Sequence, residues 1–327
     1  MASSLQDGFG RSFRYLRVSV IDACNFRCVY CLPQGYCKDP TQDRPLDQNE
    51  FQNLFAGFAA LGVVKIRLTG GEPTLRRDLV ELVAMAKQTP GIQEVALSTN
   101  GYRLSALLPE LLAAGLDAVN VSIDSLRPDI FKETTGQDLL ERVRGGVEEA
   151  IAAGLRVKVN AVLMRGVNDS DLPLFAAFVR DRAVSVRFIE LMRTGGNLEL
   201  FEKHHISAQV IQKTLEADGW YQRARGPTDG PAREYKHADH QGSLGLIAPY
   251  AKDFCDSCNR LRISCRGELK LCLFGDGQHS LRAFLQRPDQ RDELHLAVQS
   301  LLGHKKVSHF LQEGQYGNTQ QFASIGG

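Results

Sequence analysis

No stretch of the 327-residue chain approaches the roughly 18 consecutive apolar residues of a membrane span. Its opening, MASSLQDGFGRSFR, lacks the apolar core of a secretory signal, so a cytoplasmic protein with no membrane partner is expected. An excess of charge of either sign is missing too. With 39 Lys and Arg against 38 Asp and Glu, the formal net charge is +1; no nucleic acid polymer is indicated as a partner, and any basic site must be local. Neither Gly-x-Gly-x-x-Gly after a strand nor Gly-x4-Gly-Lys-Ser/Thr occurs, which removes ordinary dinucleotide and P-loop binding. There is no repeat of fixed period and no low-complexity tract. What is present, 43% apolar and 24% charged residues, is the composition of a globular chain, and the length suggests two domains or one large α/β barrel with an appendage.

Cysteine is absent from 38 to 254, and all eight cysteines lie in two groups flanking that gap. Cys24, Cys28, Cys31 and Cys37 form one; Cys255, Cys258, Cys265 and Cys272 form the other. In a reducing compartment such groups are metal ligands or buried thiols rather than disulfides, and two metal sites are the natural reading.

From Tyr15 to Glu190, β-branched runs at 15–21, 63–68, 94–98, 118–123, 155–162 and 184–190 predict six strands. Amphipathic helical patterns separate them, one opening on the capping box Asp47-x-x-Glu50, and a further helix is expected near 207–217. Strands alternating with helices imply parallel, right-handed βαβ units, in an open doubly wound sheet or a partial barrel. DACNFRCVYC, TGGEP, TNG, DS, MRGVND and LMRTGG each follow a strand, at the end where such folds place their active sites. Beyond a linker-like Arg225 to Pro231 come strand signals at 233–236 and 242–248, a hairpin around Arg266-Gly267-Glu268, and helical stretches near 278–286 and 289–302.

Cys24-x3-Cys28-x2-Cys31 offers three thiolates on one tight loop. A 4Fe–4S cluster needs four ligands, so three would leave one iron open, whereas structural zinc wants four ligands of its own. Cys37, set among turns at Pro33, Gly35 and Pro40, remains a candidate fourth. With Tyr30 just before the third cysteine and the loop following the first strand, the motif resembles that of the radical S-adenosylmethionine superfamily. The resemblance implies a partial (βα)6 barrel of the TIM type. It also implies a first 4Fe–4S cluster on Cys24, Cys28 and Cys31 whose open iron holds S-adenosylmethionine, cleaved to a 5′-deoxyadenosyl radical. Gly70, Gly71 and Glu72 resemble the segment that meets the methionine amino group, and Tyr30, Ser122 and Met192 match other cofactor contacts.

Cys255-x2-Cys258-x13-Cys272, followed after its second cysteine by Asn259-Arg260-Leu261-Arg262, narrows the resemblance. Together with YLRVSVIDACNFRCVYC, KIRLTGGEP, KVNAVLMRGVND and a terminal Gly-Gly, it closely resembles the molybdenum cofactor biosynthesis protein A family of GTP 3′,8-cyclases. Ile21 and Ala23 replace the Thr and Arg usual in the first motif, and Thr74 an apolar residue. That family carries a second 4Fe–4S cluster on three cysteines, here Cys255, Cys258 and Cys272, whose open iron binds guanine. The rival, a four-cysteine zinc site using Cys265, is opposed by strand parity. Cys258, Arg260, Arg262 and Ser264 share one face with Lys270 and Cys272, while Leu261, Ile263, Cys265, Leu269, Leu271 and Leu273 face away.

Charged residues in mid-strand carry independent weight, because parallel sheets covered by helices are normally apolar on both faces. Arg17, Lys65, Arg67, Arg156 and Lys158 therefore require a polar interior or a ligand. Arg17, Arg67, Lys158, Arg260 and Arg262 together suit a triphosphate. The resemblance assigns GTP contacts to these five and to Ser98, and a catalytic part to Gly326 and Gly327, with Tyr316, Phe322 and Ile325 as anchors of the tail.

The fold expected is thus α/β: a partial barrel over about 12–225 and a smaller C-terminal α+β domain, 226–327, carrying the auxiliary cluster. The implied reaction converts GTP to (8S)-3′,8-cyclo-7,8-dihydroguanosine 5′-triphosphate, an early step of molybdenum cofactor biosynthesis. A reductant such as flavodoxin or ferredoxin and a downstream cyclic pyranopterin monophosphate synthase are implied partners, and a homodimer is left open. The alternatives are a radical enzyme modifying peptides and a zinc-stabilised module without catalysis.

Overall fold

The computed structural model describes residues 5–224, 226, 230–275, 277–317, 319–320 and 322–323. Six strands appear where alternation and β-branching predicted them: β1 (Tyr15–Ser19), β2 (Lys65–Thr69), β3 (Glu94–Thr99), β4 (Ala118–Ser122), β5 (Arg156–Leu163) and β6 (Val184–Glu190). Helices α1 (Gln48–Ala60), α2 (Leu79–Gln88), α3 (Leu104–Ala113), α4 (Pro128–Thr135), α5 (Leu140–Ala152) and α6 (Leu172–Arg180) carry the five crossovers. Two more, α7 (Leu198–His204) and α8 (Ala208–Ala217), follow the sixth strand. The expected capping box starts α1: Asp47 accepts from the Glu50 amide at 3.0 Å, and Glu50 accepts from the Asp47 amide at 2.9 Å.

The C-terminal region extends this sheet at both edges instead of building a separate one. Its strands are β7 (Tyr221–Gln222), β8 (Arg233–Lys236), β9 (Ser243–Ile247), β10 (Arg260–Ile263), β11 (Glu268–Lys270) and β12 (His279–Ser280). The sheet order is β12-β11-β10-β1-β2-β3-β4-β5-β6-β9-β8-β7. Because β10 lies parallel to β1, and β9 parallel to β6, eight neighbouring strands run the same way. The expected helix at 278–286 is replaced by β12 and a single 3₁₀ turn at Arg282–Leu285, since His279 pairs with Leu269; α9 (Arg291–Leu302) forms as expected.

The two sheet faces differ as the mid-strand charges required. Leu16, Val18, Ile66, Leu68, Val95, Leu97, Val119, Val121 and Val159 are fully buried in the main apolar core. Alternate positions carry Arg17, Arg67, Asn120, Lys158 and Arg187, and these line a cavity on the inner side. Among the described residues, no helix is long and apolar enough to cross a membrane.

Candidate active site

The loop after β1 presents Cys24, Cys28 and Cys31 to a cavity at the carboxyl ends of the strands. It is held from two sides. Amides of Arg27 and Val29 donate to the carbonyls of Thr135 and Thr134, while Phe26 packs edge-on against Phe131 at 6.3 Å. On the other side, Gly71 and Glu72 donate to the carbonyls of Ile21 and Ala23, both at 2.8 Å. A Cβ on Gly71 would lie 2.3 Å from the Ala23 carbonyl oxygen, so glycine is required for this backbone approach.

Gly70, Gly71, Tyr30, Ser122 and Met192, the cofactor contacts implied by the motifs, all line the same cavity. Glu72 departs from that expectation. Its buried carboxylate accepts from the Thr74 amide and hydroxyl, the Thr99 hydroxyl and the Asn100 amide, at 2.6–2.9 Å, which commits it to shaping two strand-end loops. Asp124, unassigned by sequence reasoning although DS was seen to follow strand four, lines the cavity instead. It accepts from the Tyr30 hydroxyl at 2.9 Å and the Val162 amide at 2.8 Å, and burial raises its carboxyl pKa to about 6 against those bonds. Asn100 and Glu190 are further lining residues that the motifs did not single out.

A second cavity lies against the first, sharing Asn160, Ile189 and Met192 with it. Strand register builds its floor: Arg262, Arg17 and Arg67 stand side by side on β10, β1 and β2, with Arg260, Tyr15, Lys65 and Glu94 in the adjoining row. Arg67 donates to the Tyr15 hydroxyl through Nε and to Ser98 through Nη1, the latter at 3.2 Å, which puts Ser98 at the border of the two cavities. Lys65 pairs with Glu94 at 2.8 Å, and Arg187, which alternation along strand six could have revealed, pairs with Glu234 at 2.5 Å. Among the described residues, Nε of Arg260 and of Arg262 is buried without a hydrogen-bond partner. Burial and crowding by like charge bring Arg17 down to about 9, Arg262 to about 10 and Lys158 to about 8. Such a floor favours a polyanion, which would relieve the repulsion and satisfy the guanidinium donors.

Cys255, Cys258 and Cys272 line this second cavity. Burial pushes the Cys258 thiol up, but Arg260, Lys305 and Arg262 outweigh it and hold the group at about 7, near the thiolate that an iron cluster takes. Cys265 lines neither cavity. It is fully buried on the opposite face, where Arg266 donates to its sulfur at 3.3 Å and burial pushes its thiol up to about 11. Leu271 and Leu273, expected on that opposite face, line the second cavity instead, because β11 ends at Lys270 and the chain turns. Cys37 is exposed. Among the described residues no three His, Cys, Asp or Glu side chains converge as the ligands of a single metal ion do. Each cysteine trio instead lines a cavity wall, which suits a cube of four irons in which three take one thiolate each and the fourth stays open.

Gly326, Gly327 and Ile325 lie outside the described residues. Just before them, Phe322 packs edge-on against Phe274 at 6.2 Å, Tyr316 lies under Arg193, and the backbone amides of Phe322 and Ala323 donate to the Cys31 sulfur. The described residues Phe322 and Ala323 thus lie beside the first cysteine loop.

Comparison with known proteins agrees with both halves of this site. Residues 18–179 match the radical SAM superfamily, and residues 184–311 match the family described as Molybdenum Cofactor Synthesis C. A GTP 3′,8-cyclase of Stenotrophomonas maltophilia is 52% identical over 326 residues, covering 99% of this chain and 100% of that protein. The Yersinia pestis protein of the same name is 50% identical over 324 residues, with 99% of each chain covered. In fold, the chain resembles Streptococcus suis SuiB bound to S-adenosylmethionine, with a TM-score of 0.60 at 13% identity over 88% of this chain and 68% of that one. A cysteine loop on a parallel sheet, a second cysteine trio above an arginine floor and near-full-length identity of about half lead to one conclusion: the chain belongs to the GTP 3′,8-cyclase family of radical SAM proteins.

Proposed function

We propose that the protein is a radical SAM GTP 3′,8-cyclase, converting GTP to (8S)-3′,8-cyclo-7,8-dihydroguanosine 5′-triphosphate early in molybdenum cofactor biosynthesis. The observation that carries the reading is the junction of two cavities: a cysteine-lined one with no lysine or arginine among its lining residues, and a cationic one with a cysteine trio of its own. Cys24, Cys28 and Cys31 would hold one 4Fe–4S cluster and Cys255, Cys258 and Cys272 the other. When bound, the first cluster and S-adenosylmethionine supply a 5′-deoxyadenosyl radical, chemistry that belongs to the cofactor.

The chain itself binds, orients and shields. Gly70, Gly71, Tyr30, Ser122, Asp124 and Met192 surround the S-adenosylmethionine. Arg17, Arg67, Arg260, Arg262, Lys158 and Ser98 hold the triphosphate and ribose, so that the base reaches the second cysteine trio and the sugar faces Asn160 and Met192. Gly326 and Gly327, outside the described residues, take part in catalysis, a role for which residues without side chains would allow backbone approach to substrate. A reductant such as flavodoxin or ferredoxin delivers the electrons, the product passes to a cyclic pyranopterin monophosphate synthase, and the protein works in the cytoplasm.

The reading is tested by anaerobic incubation of reconstituted protein with S-adenosylmethionine, dithionite and GTP. About eight irons with matching acid-labile sulfide, and a cyclised product carrying all three phosphates, are expected; zinc without sulfide, or unaltered GTP beside normal cofactor cleavage, would overturn it. Deleting Gly326 and Gly327 is expected to leave iron content unchanged and to cut cyclisation severely.

A further inference from the structure

The segment before β1 plays no part in the reading above, yet it is fastened with unusual care. Phe13 donates to the Leu5 carbonyl at 2.9 Å, Gln6 and Ser12 form an isolated antiparallel bridge, and Leu5 and Phe13 are buried in the main core. Within this small loop, Asp7 accepts from the amides of Phe9 and Arg11, both at 3.0 Å, and from Arg11 Nε at 2.6 Å. One edge of the Arg11 guanidinium is thereby fixed.

Its other donors cross to the far end of the chain. Nη1 donates to the carbonyls of Cys255 at 3.2 Å and Val307 at 2.7 Å, and Nη2 donates to that of Lys306 at 2.7 Å. Arg11 and Asp7 are each 8% exposed, so this is a buried ion pair with its remaining donors spent on backbone. Only a planar fork with several fixed donors can gather carbonyls from two separate segments in this way; a lysine would offer one mobile point charge. The residues directly after the second segment are the ones that touch the Cys255 sulfur. Ser308 Oγ donates to it at 3.7 Å, and the His309 backbone amide donates as well.

We propose that Arg11 is a positioning residue for the second cluster. By tying the Cys255 carbonyl to those of Lys306 and Val307, it sets the two hydrogen bonds that the Cys255 sulfur receives, and through them the reduction potential of the cluster. Hydrogen bonds to ligand sulfur stabilise the more negative, reduced cluster, so their loss moves the potential downward. The inference rests on the reading of Cys255 as a cluster ligand.

The experiment uses the full chain with Cys24, Cys28 and Cys31 changed to Ser, so that only the second cluster contributes a signal. In that background, Arg11→Gln, Arg11→Lys and Ser308→Ala are compared with their parent by anaerobic redox titration followed by electron paramagnetic resonance, with iron and sulfide content measured alongside. Arg11→Gln is expected to give altered g-values and a more negative midpoint, or to lose the cluster in a folded chain. Arg11→Lys should not restore the parent values, and Ser308→Ala should shift the midpoint less, in the same direction. A spectrum and midpoint for Arg11→Gln equal to those of the parent would overturn the proposal. Should that variant fail to fold by circular dichroism, an unshifted midpoint in Ser308→Ala overturns it instead. A parent that binds no cluster fails at the earlier step, the reading of Cys255, and is thereby told apart from a failure of Arg11.

Discussion

The two cysteine trios sit in opposite electrostatic surroundings. Around Cys24, Cys28 and Cys31 the cavity is lined by Asp124 and Glu190 and by no lysine or arginine among the described residues; burial, with Asp124 adding to it, raises the Cys28 thiol well above its ordinary value. Around Cys255, Cys258 and Cys272 the cavity is lined, among the described residues, by eight Lys and Arg side chains against Glu94 alone, and the Cys258 thiol is held at about 7. On the proposed reading, the difference would let one sheet take two charged small molecules without exchanging them. A sulfonium with an ammonium group suits the first cavity, a polyanion suits the second, and each is repelled from its neighbour's place.

The largest way to break this symmetry is to remove one trio. Cys24→Ala, Cys28→Ala or Cys31→Ala is expected to abolish reductive cleavage of S-adenosylmethionine while keeping about half the iron, and Cys258→Ala to spare uncoupled cleavage and lose cyclisation. Iron content and 5′-deoxyadenosine release check both. Next in size, Arg262→Ala removes a buried guanidinium from the row it forms with Arg17 and Arg67. Losing one charge-assisted phosphate contact of about 3 kcal/mol weakens GTP binding roughly 100-fold. Calorimetry with GTP should show that loss and leave S-adenosylmethionine affinity unchanged.

A milder probe is pH. Lys158 is lowered to about 8 by burial and by Arg187, Arg67 and Lys65, so in the empty site it loses its proton as pH rises through that value. A bound triphosphate restores the charge, so GTP binding above pH ~8 takes up a proton and weakens as pH rises further. Folding stability moves the other way. Because the folded pKa lies below the unfolded one, the penalty of burying the charged lysine is present below pH ~8 and relieved between there and its unfolded value near 10.4. Calorimetry in buffers of different ionisation enthalpy measures the proton uptake, which Lys158→Met should diminish. The smallest effect is expected from Cys265→Ser, which keeps the iron of both clusters and costs about 1 kcal/mol, because Arg266 can donate to the hydroxyl as it does to the sulfur; loss of the auxiliary iron would show that this cysteine is a ligand.

Much of the cationic cavity was legible in the sequence, because period-two alternation fixes which side chains share a face. Parity puts Lys65 with Arg67, Arg156 with Lys158, and Arg260 and Arg262 with Cys258, and sets Cys265 on the other face; the need of mid-strand charges for a ligand suggested that they serve one site. Parity failed for Leu271 and Leu273, where the strand had already ended at Lys270. The pairing of β10 with β1 and of β9 with β6 was not legible, since nothing local in Arg260–Ile263 or Ser243–Ile247 names a distant partner. Acidic residues at strand ends are equally ambiguous. Glu72 and Asp124 both look like turn formers; only three-dimensional hydrogen bonding shows that the first is consumed by its loops while the second faces the cavity.

The central claim is that the two cavities meet at Asn160, Ile189 and Met192, bringing the ribose of a nucleotide held by the arginine floor to the cofactor on the first cysteine loop. Anaerobic turnover of GTP carrying deuterium at the ribose 3′ carbon tests it most directly. Mass spectrometry is predicted to find the deuterium in 5′-deoxyadenosine; cleavage at the normal rate with the label retained in the nucleotide would contradict the account.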